Sequence, residues 1–274
     1  MKLLQLTDIH LTAPGKTIGG RDPNANFKRA LDHAISHHPD AEAMIITGDL
    51  SDWGEAADYE RLKALISKVD MPVHLCIGNH DDRSVFVSTF PDLAGVDGFV
   101  QKVVPLSLGH AILLDTWGPE SHAGHFCEQR AAWLSEQLET LDGPVWIFMH
   151  HNPVPTDVTP MDKIMLLDAD RFGATVAPHA QNIRHIFHGH CHMHLSGSFH
   201  GIPFSAPRGT NHAGWPDFSA STMLSAADLT ESYSVIFASD HSTMVHMVEY
   251  GYIGEIRCEG SPDYADWDQL TMAR

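Results

Sequence analysis

Five short polar motifs in this chain carry carboxylate, amide or imidazole side chains, the oxygen and nitrogen donors that proteins offer to divalent cations. In chain order, the motifs are Asp8-Ile9-His10, Gly48-Asp49, Gly78-Asn79-His80-Asp81, His150-His151 and Gly189-His190-Cys191-His192. Oxygen and imidazole donors together suit Zn, Mn or Fe. Because one ion does not need so many ligands, the sequence predicts a centre that holds two divalent cations.

Each motif alone also has an ordinary structural interpretation. Gly48-Asp49 could be a turn or a helix cap, and His150-His151 could be a buried, hydrogen-bonded pair. Four alternating histidines would share one face of a strand and could form a solvated polar face: His188, His190, His192 and His194. The joint occurrence of the motifs, each after an apolar run, favours the metal centre over these alternatives.

Short apolar runs precede all five motifs and are typical of buried strands. The predicted strands span residues 2–7, 42–47, 72–77, 145–149 and 183–187, with a hairpin at 99–105 and 110–115. Helices are predicted from a cap at Asn24 or Asn26 to about residue 38, and over 55–69, 128–141 and 168–176. Alternating strands and helices indicate a mainly parallel sheet, and ligands bind beyond the carboxyl ends of such strands. The five motifs should therefore converge.

Composition limits the classes of partner. The chain has 274 residues, of which 43% are hydrophobic and 19% charged, which is typical of a folded globular protein. Its net charge of −18 repels polyanions, so nucleic acid and anionic membranes are poor partners. The sequence shows neither an apolar run of about 18 residues nor a signal peptide, which predicts a cytoplasmic protein. Four separated cysteines and 21 histidines favour imidazole ligands over a thiolate site or a disulfide framework.

The ordered motifs resemble those of the calcineurin-like metallophosphoesterases. Three further blocks bring the chain closer to the bacterial class III cyclic-nucleotide phosphodiesterases and glycerophosphodiesterases: residues 78–82, 149–153 and 209–212. The resemblance implies an α/β fold, a four-layer αββα sandwich with a strand-rich C-terminal extension. It spans about residues 1–218, which predicts a catalytic domain there. Residues 219–274 would then be an extension that packs on this domain and could form a homo-oligomer.

The resemblance also implies which residues hold the two metals. One metal would be bound by Asp8, His10, Asp49 and His192. The second would be bound by Asp49, Asn79, His150 and His190, so that Asp49 bridges the two. His151 receives no metal, and His188 and His194 are expected to be surface histidines.

Two cations in this arrangement imply attack of a metal-bridging hydroxide on phosphorus. His80 would protonate or stabilise the leaving oxygen, and the alternative is that it only positions the phosphate. Asn79, His80 and His212 are the predicted substrate-binding residues. The native metals would be Mn, Fe or Zn.

The expected substrates are small phosphodiesters, such as cyclic nucleotides or glycerophosphodiesters. The same ligands also serve phosphomonoesterases and nucleases, so both remain alternatives. A third alternative is a non-catalytic scaffold protein, although every expected ligand is present.

Overall fold

Two β-sheets and the helices outside them position the motifs. The structure is a computed structural model that describes residues 1–95, 98–119 and 121–255. The strands are β1 (Lys2–Leu6), β2 (Ala43–Thr47), β3 (Val73–Cys76), β4 (Lys102–Leu106), β5 (Gly109–Leu113), β6 (Val145–Phe148), β7 (Ile183–Phe187), β8 (Leu195–Phe199), β9 (Ile202–Ala206), β10 (Ala213–Trp215), β11 (Ser225–Ala227), β12 (Tyr233–Ala238) and β13 (Thr243–Val248). The helices are α1 (Pro23–His37), α2 (Ala56–Ile66), α3 (Arg83–Thr89), α4 (Glu128–Thr140), α5 (Thr159–Asp162) and α6 (Ala169–Val176).

The first sheet has the order β13-β12-β1-β2-β3 and the second has the order β4-β5-β6-β7-β9-β8. Strands β1, β2 and β3 are parallel to one another, as are β5, β6, β7 and β9. The carboxyl ends of these parallel strands lie at one edge of each sheet. The predicted parallel arrangement is therefore confirmed for the strands that precede the motifs.

The two sheets pack face to face through a continuous apolar layer. Leu3 and Ile45 of the first sheet belong to the same core cluster as Trp146, Phe148 and Phe187 of the second. All five are buried, and burying each large apolar side chain stabilises the fold by about 1.5–3 kcal/mol. This layer holds the strand ends of both sheets at a common edge.

Helices cover the outer face of each sheet. Phe27 of α1 and Tyr59 of α2 pack in the core of the first sheet. Leu134 of α4 and Phe172 of α6 pack in the core of the second. The order of layers is thus helix, sheet, sheet, helix, which confirms the predicted αββα sandwich.

The N-terminus of α1 differs from the prediction. The cap is Asp22, whose Oδ1 accepts hydrogen bonds from the backbone N–H groups of Asn24 (3.0 Å) and Ala25 (3.1 Å). Pro23 then takes the first helical position, where its missing N–H costs nothing. The prediction of Asn24 or Asn26 as the cap was wrong, because Asn24 donates to the carbonyl of Thr12 and Asn26 to the side chain of Asn211.

Residues beyond 218 contribute two strands to the first sheet. β12 lies between β1 and β13 and pairs antiparallel with both, with Leu4 opposite Val235. This part of the chain therefore completes the sheet that carries Asp8 and Asp49. The boundary at residue 218 stays a prediction, and residues 256–274, with Cys258, lie outside the described residues.

The segment after β7 corrects another prediction. His188 is fully buried, and its carbonyl accepts a hydrogen bond from the Gln5 side chain at 2.9 Å. It lies where the end of β7 packs on β1, so the prediction of a surface histidine was wrong. His194 is half-buried, with its Nε2 2.7 Å from the hydroxyl of Ser232, so it is not a free surface side chain either.

Among the described residues, no helix is both long enough and apolar enough to cross a membrane.

Candidate metal centre

The five motifs lie together at the joined carboxyl ends of the two sheets. Strands β1, β2 and β3 lead into Asp8, Asp49 and Asn79 from the first sheet, and β6 and β7 lead into His150 and His190 from the second. Contacts between the motifs cross the sheet interface. The backbone N–H of His190 donates to the Asp8 carboxylate at 3.1 Å, although the two residues are 182 positions apart.

The backbone is strained at these positions. Five non-glycine residues of the motifs have left-handed φ angles: Asp8 (53°), His10 (47°), Asp49 (49°), His190 (69°) and His192 (52°). Such conformations cost about 1–3 kcal/mol each and persist only where the surrounding structure holds them. Glycines allow the close approach: a Cβ on Gly189 would lie 1.9 Å from Thr7 Oγ1. The strained backbone conformations therefore coincide with the residues that carry the donor side chains.

One group of donors, which we call the first cluster, consists of Asp8, His10, Asp49 and His192. Their ligand atoms all lie within 4.8 Å of one another. His10 Nε2 is 3.5 Å from Asp49 Oδ2 and 3.3 Å from His192 Nε2. His192 Nε2 is in turn 3.5 Å from Asp8 Oδ1. The spacing and the two carboxylates suit a divalent cation.

A second cluster lies on the other side of the same carboxylate and consists of Asp49, Asn79, His150 and His190. His150 Nε2 is 3.3 Å from Asp49 Oδ1 and 3.0 Å from Asn79 Oδ1. His190 Nδ1 is 2.8 Å from that same amide oxygen. Asp49 therefore directs Oδ2 to the first cluster and Oδ1 to the second.

Four of these imidazoles are held from outside the clusters by an acceptor oxygen. His10 Nδ1 lies 3.2 Å from Asp52 Oδ1, and His150 Nδ1 lies 2.8 Å from the carbonyl of Thr47. The other two pairs follow the same rule: His190 Nε2 with the carbonyl of Ile164 (3.0 Å) and His192 Nδ1 with the carbonyl of His212 (2.9 Å). In the neutral imidazole, an N–H committed to an outer oxygen leaves the other ring nitrogen with its lone pair facing inward, which is the usual arrangement of metal-bound histidine.

The second cluster brings acceptor atoms into contact with one another. The Asn79 amide nitrogen donates to His122 Nδ1 at 2.8 Å, which turns the amide oxygen inward. Because the Nε2–H of His190 donates to the carbonyl of Ile164, its Nδ1 carries no hydrogen. The lone pair of Nδ1 therefore faces a lone pair of the Asn79 amide oxygen. Such a contact would be stabilised if both atoms bound the same cation. The residues present therefore fit the metals that the motifs imply.

The buried carboxylates and imidazoles of the two clusters shift one another's pKa values. Burial raises the pKa of the Asp8 carboxyl. Burial also opposes ionisation of Asp49, but the charges of His150, His80 and His10 hold its pKa well below the usual value. Burial lowers the pKa of His150, yet Asp49 and then Asp8 more than offset this effect and the pKa rises to about 9. The Asp49 and Asp8 carboxylates thus hold a proton on the neighbouring His150 imidazole, and a divalent cation bound there would take the place of that proton.

His80 and His212 lie beside the first cluster. The ring of His80 is 4.7 Å from the ring of His10, and its Nδ1 is 3.0 Å from the carbonyl of Asp52. Its backbone N–H donates to Asp49 Oδ1 at 2.9 Å.

The ring of His212 stacks on that of His192 at 4.0 Å. Burial, followed by the charge of His192, lowers the pKa of His212 to about 2. Both side chains face the cavity next to the clusters.

A cavity of about 370 Å³ opens on the clusters. At its polar end it is lined by Asp49, Asn79, His80, His190, His192 and His212. Its volume lies in the range of small-molecule sites. His151 does not line it: its Nδ1 lies 2.7 Å from Thr116 Oγ1 and its Nε2 3.2 Å from the carbonyl of His122, so both ring nitrogens have partners.

The sequence interpretation missed three supporting residues: Asp52, Asp81 and His122. Asp52 holds His10, and His122 orients Asn79. The buried carboxylate of Asp81 accepts hydrogen bonds from the backbone N–H groups of Gly78, Leu50 and Ser51, which joins the loops after β2 and β3. Asp81 could have been identified from the sequence because it lies within the Gly78–Asp81 motif, whereas no motif of the sequence pointed to His122.

Comparison with known proteins gives consistent results. The chain is 32% identical over 261 residues to a probable cyclic nucleotide phosphodiesterase of Rhodopseudomonas palustris, covering 93% of this chain and 95% of the relative. It is 26% identical to a glycerophosphodiester phosphodiesterase of Enterobacter lignolyticus, covering 70% of this chain and 71% of the relative. A dimetal phosphatase from Danio rerio shares the fold, with a TM-score of 0.69 and 13% identity over 91% of this chain and 96% of its own.

A family model described as calcineurin-like phosphoesterase matches residues 1–194, which contain all the residues of both clusters. The match covers more than half of the chain and includes the ends of β1, β2, β3, β6 and β7, which carry the clusters. The chain therefore belongs to the calcineurin-like phosphoesterase family.

Proposed function

We propose that this protein is a metal-dependent hydrolase of small phosphodiesters. The observation that carries the proposal is the pair of donor clusters that share the two oxygens of Asp49 beside one cavity. The family membership and the names of both relatives, a cyclic nucleotide phosphodiesterase and a glycerophosphodiesterase, support the same reaction class.

Asp8, His10, Asp49 and His192 hold one divalent cation, and Asp49, Asn79, His150 and His190 hold the other. The mixture of imidazole and oxygen donors suits Mn, Fe or Zn. When bound, such a pair of cations activates water near neutral pH and offers positive charge to the phosphoryl oxygens. Asp49 fixes the separation of the two positions because each of its oxygens serves one cluster.

His80 acts on the reacting groups without being a ligand. Its ring lies beside His10, and its Nδ1 is held by the carbonyl of Asp52, so its Nε2 is the ring atom available to a substrate in the cavity. Proton transfer from this position to the leaving oxygen is the role proposed for it. Asn79 and His212 line the same cavity and are the proposed contacts of the phosphate group.

The charges around the cavity favour diesters over monoesters. None of the described residues that line it is a lysine or an arginine. A phosphomonoester carries about one more negative charge than a diester at neutral pH, as its second pKa is near 6. With a chain charge of −18, the more highly charged monoester and long nucleic acids are the less favoured substrates.

The test is hydrolysis of bis(p-nitrophenyl) phosphate by protein that is stripped with a chelator and reloaded with Mn, Fe or Zn. We expect two ions per chain by metal analysis, activity only after reloading, and a lower kcat/KM on p-nitrophenyl phosphate. Loaded protein that cleaves no diester would contradict the proposed function, and a single ion per active chain would contradict the assignment of two metals.

A cytoplasmic location and a homo-oligomer formed through residues 219–274 stay predictions.

A further inference from the structure

The cavity has a second wall whose chemistry differs from that of the metal clusters. Besides the imidazoles, the cavity is lined by apolar side chains from α5 and its following loop, from the His192 segment and from the hairpin of β10 and β11: Met161, Ile164, Met193, Trp215, Leu224 and Ala226. Trp215 and Leu224 are about half exposed, at 51% and 48%, so apolar surface is open to a molecule in the cavity. A large indole at the mouth of a site is a platform for a flat ring.

This apolar wall is attached to the metal centre by backbone hydrogen bonds. The N–H of Gly214 in β10 donates to the carbonyl of His192 at 2.9 Å. In return, the carbonyl of His212, just before β10, is the outer partner of the His192 ring. A Cβ on Gly214 would lie 2.9 Å from the carbonyl of Cys191, so glycine permits this close approach. The distance between Trp215 and the first cluster is therefore set by backbone contacts.

The opposite side of the wall is attached in the same way. The carbonyl of Ile164 is the outer partner of His190 in the second cluster, at 3.0 Å. Each cluster thus has one imidazole whose orienting oxygen comes from a segment of the apolar wall. The organic substituent of a phosphate held at the clusters would extend into this cavity, which Ile164 and Trp215 both line.

The wall favours a flat, uncharged substituent over a polyol. Its side chains offer apolar contacts, and the described lining residues include no lysine or arginine for a second anionic group. The hydroxyls of a glycerol-like substituent would lose water there without gaining equivalent partners, which is unfavourable. An aromatic ring loses little water from its faces and gains stacking on the indole.

We propose that Trp215, with Leu224, forms a specificity subsite that stacks on an aromatic ring, such as a nucleobase, carried by the organic group of the diester. This inference rests on the proposed function for the position of the phosphate. It identifies Trp215 as a residue that discriminates between diesters and takes no part in bond cleavage.

The test compares wild type with Trp215→Ala and Trp215→Phe, and uses Phe218→Ala as the control. Phe218 is 71% exposed, lies in the same hairpin loop and does not line the cavity. The substrates are adenosine 3′,5′-cyclic phosphate and ribose 3′,5′-cyclic phosphate without a base, so the reacting phosphate is the same.

We expect Trp215→Ala to raise KM for the base-bearing substrate by about 5- to 100-fold, as loss of one base–aromatic stack does. KM for the base-free substrate, kcat and metal content should stay within twofold, and Trp215→Phe should restore most of the loss.

Binding of reaction products provides a readout that does not need turnover. Calorimetry on the metal-loaded protein would compare adenosine 5′-phosphate with ribose 5-phosphate. Binding of the adenosine product that weakens in Trp215→Ala, with no diester cleaved by wild type, would support the subsite while contradicting the proposed function. Diester cleavage with equal effects of Trp215→Ala on base-bearing and base-free compounds, or with no effect on either, would overturn the subsite and leave the proposed function in place.

Discussion

The two donor clusters share Asp49 but differ in charge and in what holds their histidines. The first contains a second carboxylate, Asp8, and its His10 ring is held by the carboxylate of Asp52. The second replaces that carboxylate with the neutral amide of Asn79, and both of its imidazoles are held by backbone carbonyls. The first cluster therefore carries the greater negative charge.

This difference has a functional consequence for the proposed metals. Ligand charge raises affinity for a divalent cation, and a carboxylate behind an imidazole makes that imidazole more basic. We expect the first cluster to bind its cation more tightly and the second to exchange its cation more readily. The second cluster also borders Ile164 of the apolar wall, so the exchangeable position lies close to where the organic group would bind.

The largest effect is expected from Asp49→Asn, because Asp49 is the one carboxylate common to both clusters. The substitution keeps the size of the side chain and removes its charge. Loss of both cations should lower diester hydrolysis by at least about 1,000-fold, since the cations contribute several kcal/mol to the transition state. Metal analysis should show both positions depleted, whereas Asp40→Asn at the surface should change neither metal content nor rate. Full occupancy of either cluster in Asp49→Asn would show that Asp49 is not shared.

His80→Ala tests a residue that lies beside the clusters without belonging to either. Turnover should fall by about 100- to 10,000-fold, the range of general acid catalysis, while both metals stay bound. The loss should be smaller for an aryl leaving group than for an alkyl one, because nitrophenolate needs little protonation. His150→Ala should instead deplete one cation and impair both substrates equally.

His241→Ala, an exposed histidine between β12 and β13, is the control for His80→Ala. Equal losses on aryl and alkyl diesters would indicate that His80 positions the phosphate. Loss of metal in His80→Ala would make it a ligand or a support for one.

Asp52→Asn separates the two clusters by affecting the first alone. Removing the carboxylate behind His10 should weaken the cation of the first cluster by about 10- to 100-fold, as loss of such outer partners does. Affinity of the second cluster should stay unchanged in the same competitive chelator titration, with Asp40→Asn as the control. A uniform loss at both clusters would mean that Asp52 acts through the charge of the whole site.

Per pH unit, the smallest effect concerns metal binding at the second cluster. The pKa of His150 is about 9 in the metal-free protein, above the ordinary value of 6.5, so its proton must leave before Nε2 can bind a metal. Affinity of this cluster should therefore rise with pH by up to about tenfold per unit between pH 6.5 and 9, with release of a proton. The raised pKa contributes stability to the metal-free fold that is complete below pH 6.5 and is lost as pH rises through 9.

Calorimetry in buffers of different ionisation enthalpy would measure that proton release, and thermal unfolding of the metal-free protein would measure the stability. Metal affinity that stays constant from pH 6.5 to 9 would contradict the raised pKa of His150.

The sequence alone determined the donor residues, their chain order and the strands that precede them. Strand ends can be read locally, because an apolar run and the polar motif after it are neighbours in the chain. That is why Asp8, Asp49 and His150 could be assigned to the ends of β1, β2 and β6 before any contact between them was known.

The tertiary structure decided everything that depends on contacts between distant segments. His122 turns the Asn79 amide oxygen inward, the wall residues Ile164 and Trp215 line the same cavity as the clusters, and His188 is buried instead of exposed. These outcomes arise where loops from two sheets meet, and loop packing is not encoded in local periodicity. The sequence therefore specified which groups could bind metals, whereas the packing of the two sheets decided how those groups are oriented and what surrounds them.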